Sequence, residues 1–182
     1  MPDRSARPGV RVLVLGGIRS GKSHHAEGML ADSGPVRYLA TGPSPDGDAS
    51  WSVRGDAHRN RRPPHWSTVE TSDVAAQLQA DAVTPTMVDD IGGWLTAAMD
   101  RRDAWTGGSV AAEVEALCRA VDGFAGPLVL VSPEVGLTVV PATAAGRLFA
   151  DELGTVNQRL AALCERVVLV IAGQPLAVKE IR

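Results

Sequence analysis

Apolar positions along the chain follow two patterns. Short unbroken runs, such as Val12 to Leu15, Leu128 to Val131 within Pro127–Ser132, and Val167 to Ala172, read as buried strands, and Val36 to Ala40, interrupted by Arg37, reads as a further strand. Between them the apolar positions recur at helical spacing. Ala26, Met29 and Leu30 do so after Lys22, and Val114, Leu117, Cys118 and Val121 share one face of a helix over 110–121. Ser72-Asp73 caps a short helix, Gly92 to Met99 opens another, and 143–166 reads as a long helix with Gly154 as a point of interruption. His65 to Glu70 and Pro85 to Ile91 complete the strands, the second running into Asp89 and Asp90. A polar stretch from Trp51 to Arg62 is predicted helical until Pro63-Pro64 stops it.

Strands alternate with helices from end to end. That order predicts an α/β fold with an open, mainly parallel sheet and helices on both faces. Residues 11–182 form a single domain, with 1–10 as a flexible lead into the first strand.

Composition narrows the partners. A net charge of −3 argues against nucleic acid as ligand, since such proteins carry a basic bias. No apolar run approaches the roughly 20 residues of a membrane helix, so no transmembrane segment is expected. The N-terminus lacks the apolar stretch of a secretory signal. Cys118 and Cys164 both lie in helical patterns and read as buried free thiols, which suits a reducing cytoplasm.

The chemistry begins at residue 16. Gly16, Gly17, Ile18, Arg19, Ser20, Gly21, Lys22 and Ser23 satisfy the G-x-x-x-x-G-K-[ST] spacing of a phosphate-binding loop, between a predicted strand and a predicted helix. Glycines let the backbone approach phosphate oxygens, and the first N–H groups of the helix point at the anion. Lys22 then reaches the terminal phosphates of a nucleoside triphosphate, and the Ser23 hydroxyl ligates Mg²⁺. The plainer account is a glycine-rich turn with a lysine in it by chance.

Asp89 follows two apolar strand residues at a carboxyl end, where such proteins hold a second metal-facing acid. Asp90 is either a further ligand or the cap of the next helix. Between Asp56 and Trp66, His58 is followed by Arg59, Asn60, Arg61 and Arg62. Those arginines suit phosphate oxygens, and a neutral imidazole among them can attack phosphorus. A solvated basic helix face with an incidental histidine explains the same spacing. His24 and His25 line the start of the first helix. Glu134, after the Leu128 to Val131 strand, either orients a substrate or metal or bonds its own loop.

Several stretches together resemble one family, the bifunctional adenosylcobinamide kinase / adenosylcobinamide-phosphate guanylyltransferases of cobalamin nucleotide-loop assembly. They are Gly16-Gly-Ile-Arg-Ser-Gly-Lys-Ser23 with Ala26-Glu27, Tyr38-Leu-Ala-Thr41, His58 ahead of Arg62-Pro63 and His65-Trp66, Val88-Asp89, Glu134-Val-Gly136 with Val140-Pro141, and Val156-Asn-Gln-Arg-Leu-Ala161. The resemblance implies a P-loop, RecA-like domain assembled as a homotrimer. It implies that His58 accepts GMP from GTP and passes it to adenosylcobinamide phosphate, after a kinase step that draws on GTP or ATP with Mg²⁺. It places the nucleotide against the phosphate loop, Ala40, Thr41, Gly42 and Arg59 to Arg62, with Glu70 and Asp89 as the two acids. The chain departs from the common pattern at Ala57, where many relatives carry a second histidine, at Asp48 to Trp51, at Pro133 and at Asp90. Two other readings fit the phosphate loop: a kinase of a different small metabolite, and a non-catalytic nucleotide-binding subunit.

Overall fold

A computed structural model describes residues 9–42 and 63–180. The phosphate loop hangs from β1 (Arg11–Gly16), which lies inside a seven-stranded sheet. With β2 (Arg37–Ala40), β3 (Ser67–Glu70), β4 (Thr86–Asp89), β5 (Leu128–Pro133), β6 (Arg166–Ile171) and β7 (Gln174–Lys179), the order across the sheet is β3-β2-β4-β5-β1-β6-β7. Neighbours are parallel except β6 and β7, which form an antiparallel hairpin.

Alternation along each strand builds two separate cores. Val12 and Val14 of β1, Tyr38 of β2, Met87 of β4, Val129 and Val131 of β5, and Val168 and Val170 of β6 share one face. α1 (Lys22–Met29) covers that face with Ala26 and Met29. Leu13, Leu39, Val88, Leu128, Leu130 and Val167 point the other way. They meet α2 (Val74–Ala80), α3 (Ile91–Arg101), α4 (Ala111–Asp122) and α5 (Ala144–Leu163). Helices therefore lie on both faces, as the strand–helix alternation requires. A short 3₁₀ turn, Ala104–Thr106, links α3 to α4.

The ends of these elements follow from local chemistry. Asp73, rather than Ser72, caps α2 by accepting from Ala76 N–H at 3.0 Å. Thr143 caps α5 through Gly146 N–H, also at 3.0 Å. α5 runs through Gly154 without a break and stops at Leu163, three residues before the predicted end. A helical glycine costs about 1 kcal/mol against alanine. The buried Leu153, Val156, Asn157 and Leu160 around it fix the helix down and offset that cost.

Two further departures stand out. The strand predicted from His65 begins only at Ser67, because Trp66 N–H first closes a turn onto Pro63 O at 3.0 Å. The strand through Ile171 is not the last: Ala172 and Gly173 both take positive φ, at 50° and 75°, and turn the chain back into β7. Two such residues make the tight hairpin turn whose twist matches the strands it joins. The helix predicted over Trp51 to Arg62, and the lead before residue 9, lie outside the described residues. Among those described, no helix is long and apolar enough to cross a membrane.

Candidate nucleotide site

The carboxyl ends of β1, β2, β3, β4 and β5 form one edge of the sheet, and those predicted site residues that lie among the described ones stand along it. At the end of β1 the chain has no room for a side chain. A Cβ on Gly16 would lie 2.3 Å from Ser20 Oγ and 2.9 Å from Val170 O. Arg19 and Gly21 take positive φ, 56° and 92°, so the loop curls back on itself before α1 begins at Lys22. Glycine adopts that region without penalty, whereas Arg19 does so at a cost of order 1–2 kcal/mol. Ser20 N–H bonds Gly17 O at 3.3 Å, and Ser20 O accepts from Gly173 N–H at 2.8 Å. The β6–β7 turn thus ties down the outer side of the loop. Lys22 Nζ reaches back over the loop to Gly17 O at 3.4 Å. Ile18, 93% exposed, marks the tip.

Asp89 lies opposite the loop. Asp89 ends β4, and its Oδ1 accepts from Ser23 Oγ at 3.2 Å. Its Oδ2 accepts from Tyr38 Oη at 2.5 Å. Asp90 turns the other way and caps α3, accepting from Gly93 N–H at 2.7 Å. Burial, and then the charge of Asp89, push the Asp90 carboxyl up, against the pull of the Gly93 N–H and of Lys22. Of the two roles open to Asp90 from sequence, the cap is the one its side chain fills.

Thr41 and Gly42 leave β2 beside these acids. Thr41 is buried; its N–H bonds Asp89 O at 3.2 Å and its hydroxyl bonds Asp90 O. Strand register puts Ala40 level with Asp89 on one side and with Glu70 on the other. Glu70 is therefore two strands from Asp89, roughly 10 Å at normal strand spacing. β3 is the edge strand on the side of the sheet away from β1, so Glu70 stands apart from the phosphate loop. Glu134 bonds its own loop, accepting from Gly136 N–H at 2.6 Å, while its N–H bonds Gly16 O at 3.1 Å. His24 is exposed, 3.9 Å from Glu27. His58, Arg59, Asn60, Arg61 and Arg62 lie outside the described residues.

Two positions that brace the site have no signature of their own in the sequence. Tyr38 is one. Asn157 is the other: buried in α5, it accepts from Ser132 Oγ at 2.6 Å and donates to Pro133 O at 3.1 Å. It fixes the end of β5 between the phosphate loop and Asp89. Both lie in stretches quoted above for the family resemblance, yet their roles arise only when strands and helices are brought together.

With loop, lysine, serine and acid assembled in this order, comparison with known proteins decides the family. The family described as CobU, cobinamide kinase / cobinamide phosphate guanyltransferase, matches residues 12–178. The chain belongs to this family. The bifunctional adenosylcobalamin biosynthesis protein CobP of Pseudomonas aeruginosa is 40% identical over 174 residues, covering 93% of this chain and 98% of that protein. The protein CobU of Escherichia coli K12, with the same description, is 36% identical over 188 residues, covering 92% and 99%. This CobU-family chain also shares its fold with more distant solved structures. The RadB recombinase aligns at TM-score 0.51 and 17% identity, over 89% of this chain and 74% of RadB. The flagellar accessory protein FlaH of Methanocaldococcus jannaschii aligns at 0.50 and 10%, over 96% and 80%. At such identities the likeness speaks to fold alone.

Proposed function

We propose that the protein carries out two linked reactions: phosphorylation of adenosylcobinamide by a nucleoside triphosphate, and transfer of GMP from GTP to the product through His58. Support comes from one contact above all. Ser23 Oγ meets Asp89 Oδ1 at 3.2 Å, which joins the phosphate loop to the acid in a chain of this family. The loop of Gly16, Gly17, Ile18, Arg19, Ser20 and Gly21 cradles the phosphates, with Ala40, Thr41 and Gly42 beside it. Arg59, Asn60, Arg61, Arg62 and Glu70 complete the nucleotide contacts in this reading.

Ser23 and Asp89 present only oxygen, the donor type that Mg²⁺ takes together with substrate phosphates and water. Bound there, Mg²⁺ would neutralise charge on the phosphate oxygens. The chain's own residues do the remainder. Lys22 leaves Gly17 O for the terminal phosphates and holds them in line with the attacking hydroxyl, so the kinase step rests on positioning and charge.

In the second reaction an imidazole nitrogen of His58 attacks the α-phosphorus of GTP, and the bond to pyrophosphate breaks. A phosphate oxygen of the corrinoid then attacks the same phosphorus, and the phosphorus–nitrogen bond breaks to release His58. Two displacements at one centre give ping-pong kinetics. The reading includes a homotrimer working in the cytoplasm. The exposed apolar side chains at the end of β6 and along β7, Ile171, Leu176 and Val178, support an assembled edge.

Incubation with α-³²P-GTP and Mg²⁺ tests the reading. The protein should acquire an acid-labile, base-stable label that is absent from His58→Ala and is chased by adenosylcobinamide phosphate. Equal labelling of His58→Ala would refute the histidine assignment. No label on the wild-type protein would favour a kinase of another metabolite.

A further inference from the structure

We infer that Tyr38 is the positioning residue of the metal-facing acid: its phenol holds one oxygen of Asp89 so that the other faces Ser23 and the cation. This rests on the reading of Ser23 and Asp89 as the metal-holding pair.

The geometry comes from register and alternation. Tyr38 of β2 pairs with Met87 of β4, so Asp89, two residues on, is its diagonal neighbour on the same sheet face. A long aromatic side chain spans that diagonal. The shared face is the one α1 covers, and α1 carries Ser23 in its first turn. Three elements thus deliver three side chains to one point. The Tyr38 ring is buried at 3% exposure among apolar neighbours, a place phenylalanine would fill equally well by packing. What the phenol adds is the bond to Asp89 Oδ2 at 2.5 Å, in the short range of hydroxyl-to-carboxylate bonds.

A carboxylate with two free rotations faces a cation in many ways; one pinned at Oδ2 has Oδ1 left at a fixed place. Ser23 already meets Oδ1 there at 3.2 Å. Residues behind a metal ligand set its orientation, and losing one typically weakens metal binding about tenfold or more.

Tyr38 is the single tyrosine of the chain, which makes the contact directly observable. Mn²⁺ binding to the GDP-loaded protein, followed by the electron paramagnetic resonance of free Mn²⁺, reads the site without turnover. Tyr38→Phe should weaken Mn²⁺ binding about tenfold while GDP binding in EDTA stays as in the wild type. Unchanged Mn²⁺ affinity, or an equal loss of GDP affinity in EDTA, would make Tyr38 a core residue only. Asp89→Asn separates the two readings. If it leaves Mn²⁺ affinity intact, the metal-holding pair is wrong and the role of Tyr38 falls with it. If Asp89→Asn weakens Mn²⁺ binding and Tyr38→Phe does not, the inference about Tyr38 fails alone. Protein labelled with 3-fluorotyrosine gives one ¹⁹F resonance, and Mg²⁺ added to its GDP complex should shift it. A resonance that does not move overturns the proposal without recourse to a variant.

Discussion

Asp81 closes the turn between α2 and β4 by accepting from Thr84 N–H at 3.0 Å and Val83 N–H at 3.1 Å, with Arg37 3.6 Å away. Bonds from Thr84, then that from Val83 and the charge of Arg37, hold its carboxyl down at about 2. The folded group therefore binds its proton less readily than the unfolded one. Its stabilisation is present at neutral pH and lost as pH falls from about 4 through about 2. Thermal melts between pH 5 and pH 2 should show a shallower acid decline for Asp81→Asn than for the wild type. Parallel curves would remove Asp81 from the acid limb. At this scale the sequence is legible where function is written in consecutive residues. Gly16 to Ser23 are read from spacing because local backbone geometry fixes their relation, and Asp89 from its place just after two apolar strand residues. Tyr38 and Asn157 are not, because each acts on a partner set by strand register or helix packing.

Elements are legible wherever burial on both faces produces an unbroken apolar run, as in β1, β5 and β6. β7 escaped because it alternates at the sheet edge, carries Pro175, and leaves every residue exposed. The signal that marks it is Ala172-Gly173, a two-residue turn with glycine second, between two segments rich in aliphatic residues. Once formed, β7 does a second job. Lys179 Nζ bonds the carbonyls of Ala161, Ala162 and Cys164 at 2.9, 3.3 and 2.6 Å, which closes the C-terminus of α5. A cation on the last carbonyls of a helix, partly screened by solvent, stabilises by about 1 kcal/mol. Lys179→Ala should lower the melting temperature by about 2–4 °C, with amide exchange faster at the end of α5 than in β1. An unchanged melt and unchanged exchange would show the contact to be without consequence for stability.

For the molecule as a whole, alternation of strands and helices foretold the layers but not the strand order. Order depends on which crossovers bury apolar faces best, and the runs themselves are too alike to rank. It matters for assembly. β7 is an edge strand, with Leu176 57% and Val178 61% exposed, and its turn bonds the phosphate loop through Gly173 N–H and Ser20 O. If this edge is the trimer surface, the wild type should run in light scattering at three times the 19.0 kDa of one chain. Leu176→Glu with Val178→Glu should run as a monomer, with its far-ultraviolet circular dichroism retained. A trimer in the double variant would move the interface elsewhere.

The interior place of β1 also governs when the site can exist. β1 precedes every other strand among the described residues, yet both its neighbours, β5 and β6, come from the last third of the given sequence. Arg11 is fastened by Glu165, 154 residues away, which accepts from its N–H at 2.6 Å and from its guanidinium at 2.6 Å. Loop closure of that length must be met before those contacts repay it. During synthesis the phosphate loop is thus written early and built late. A nucleotide that binds only the finished loop selects chains in which β5, β6 and β1 have all joined, so its stabilisation is felt by the whole sheet rather than by the N-terminal third.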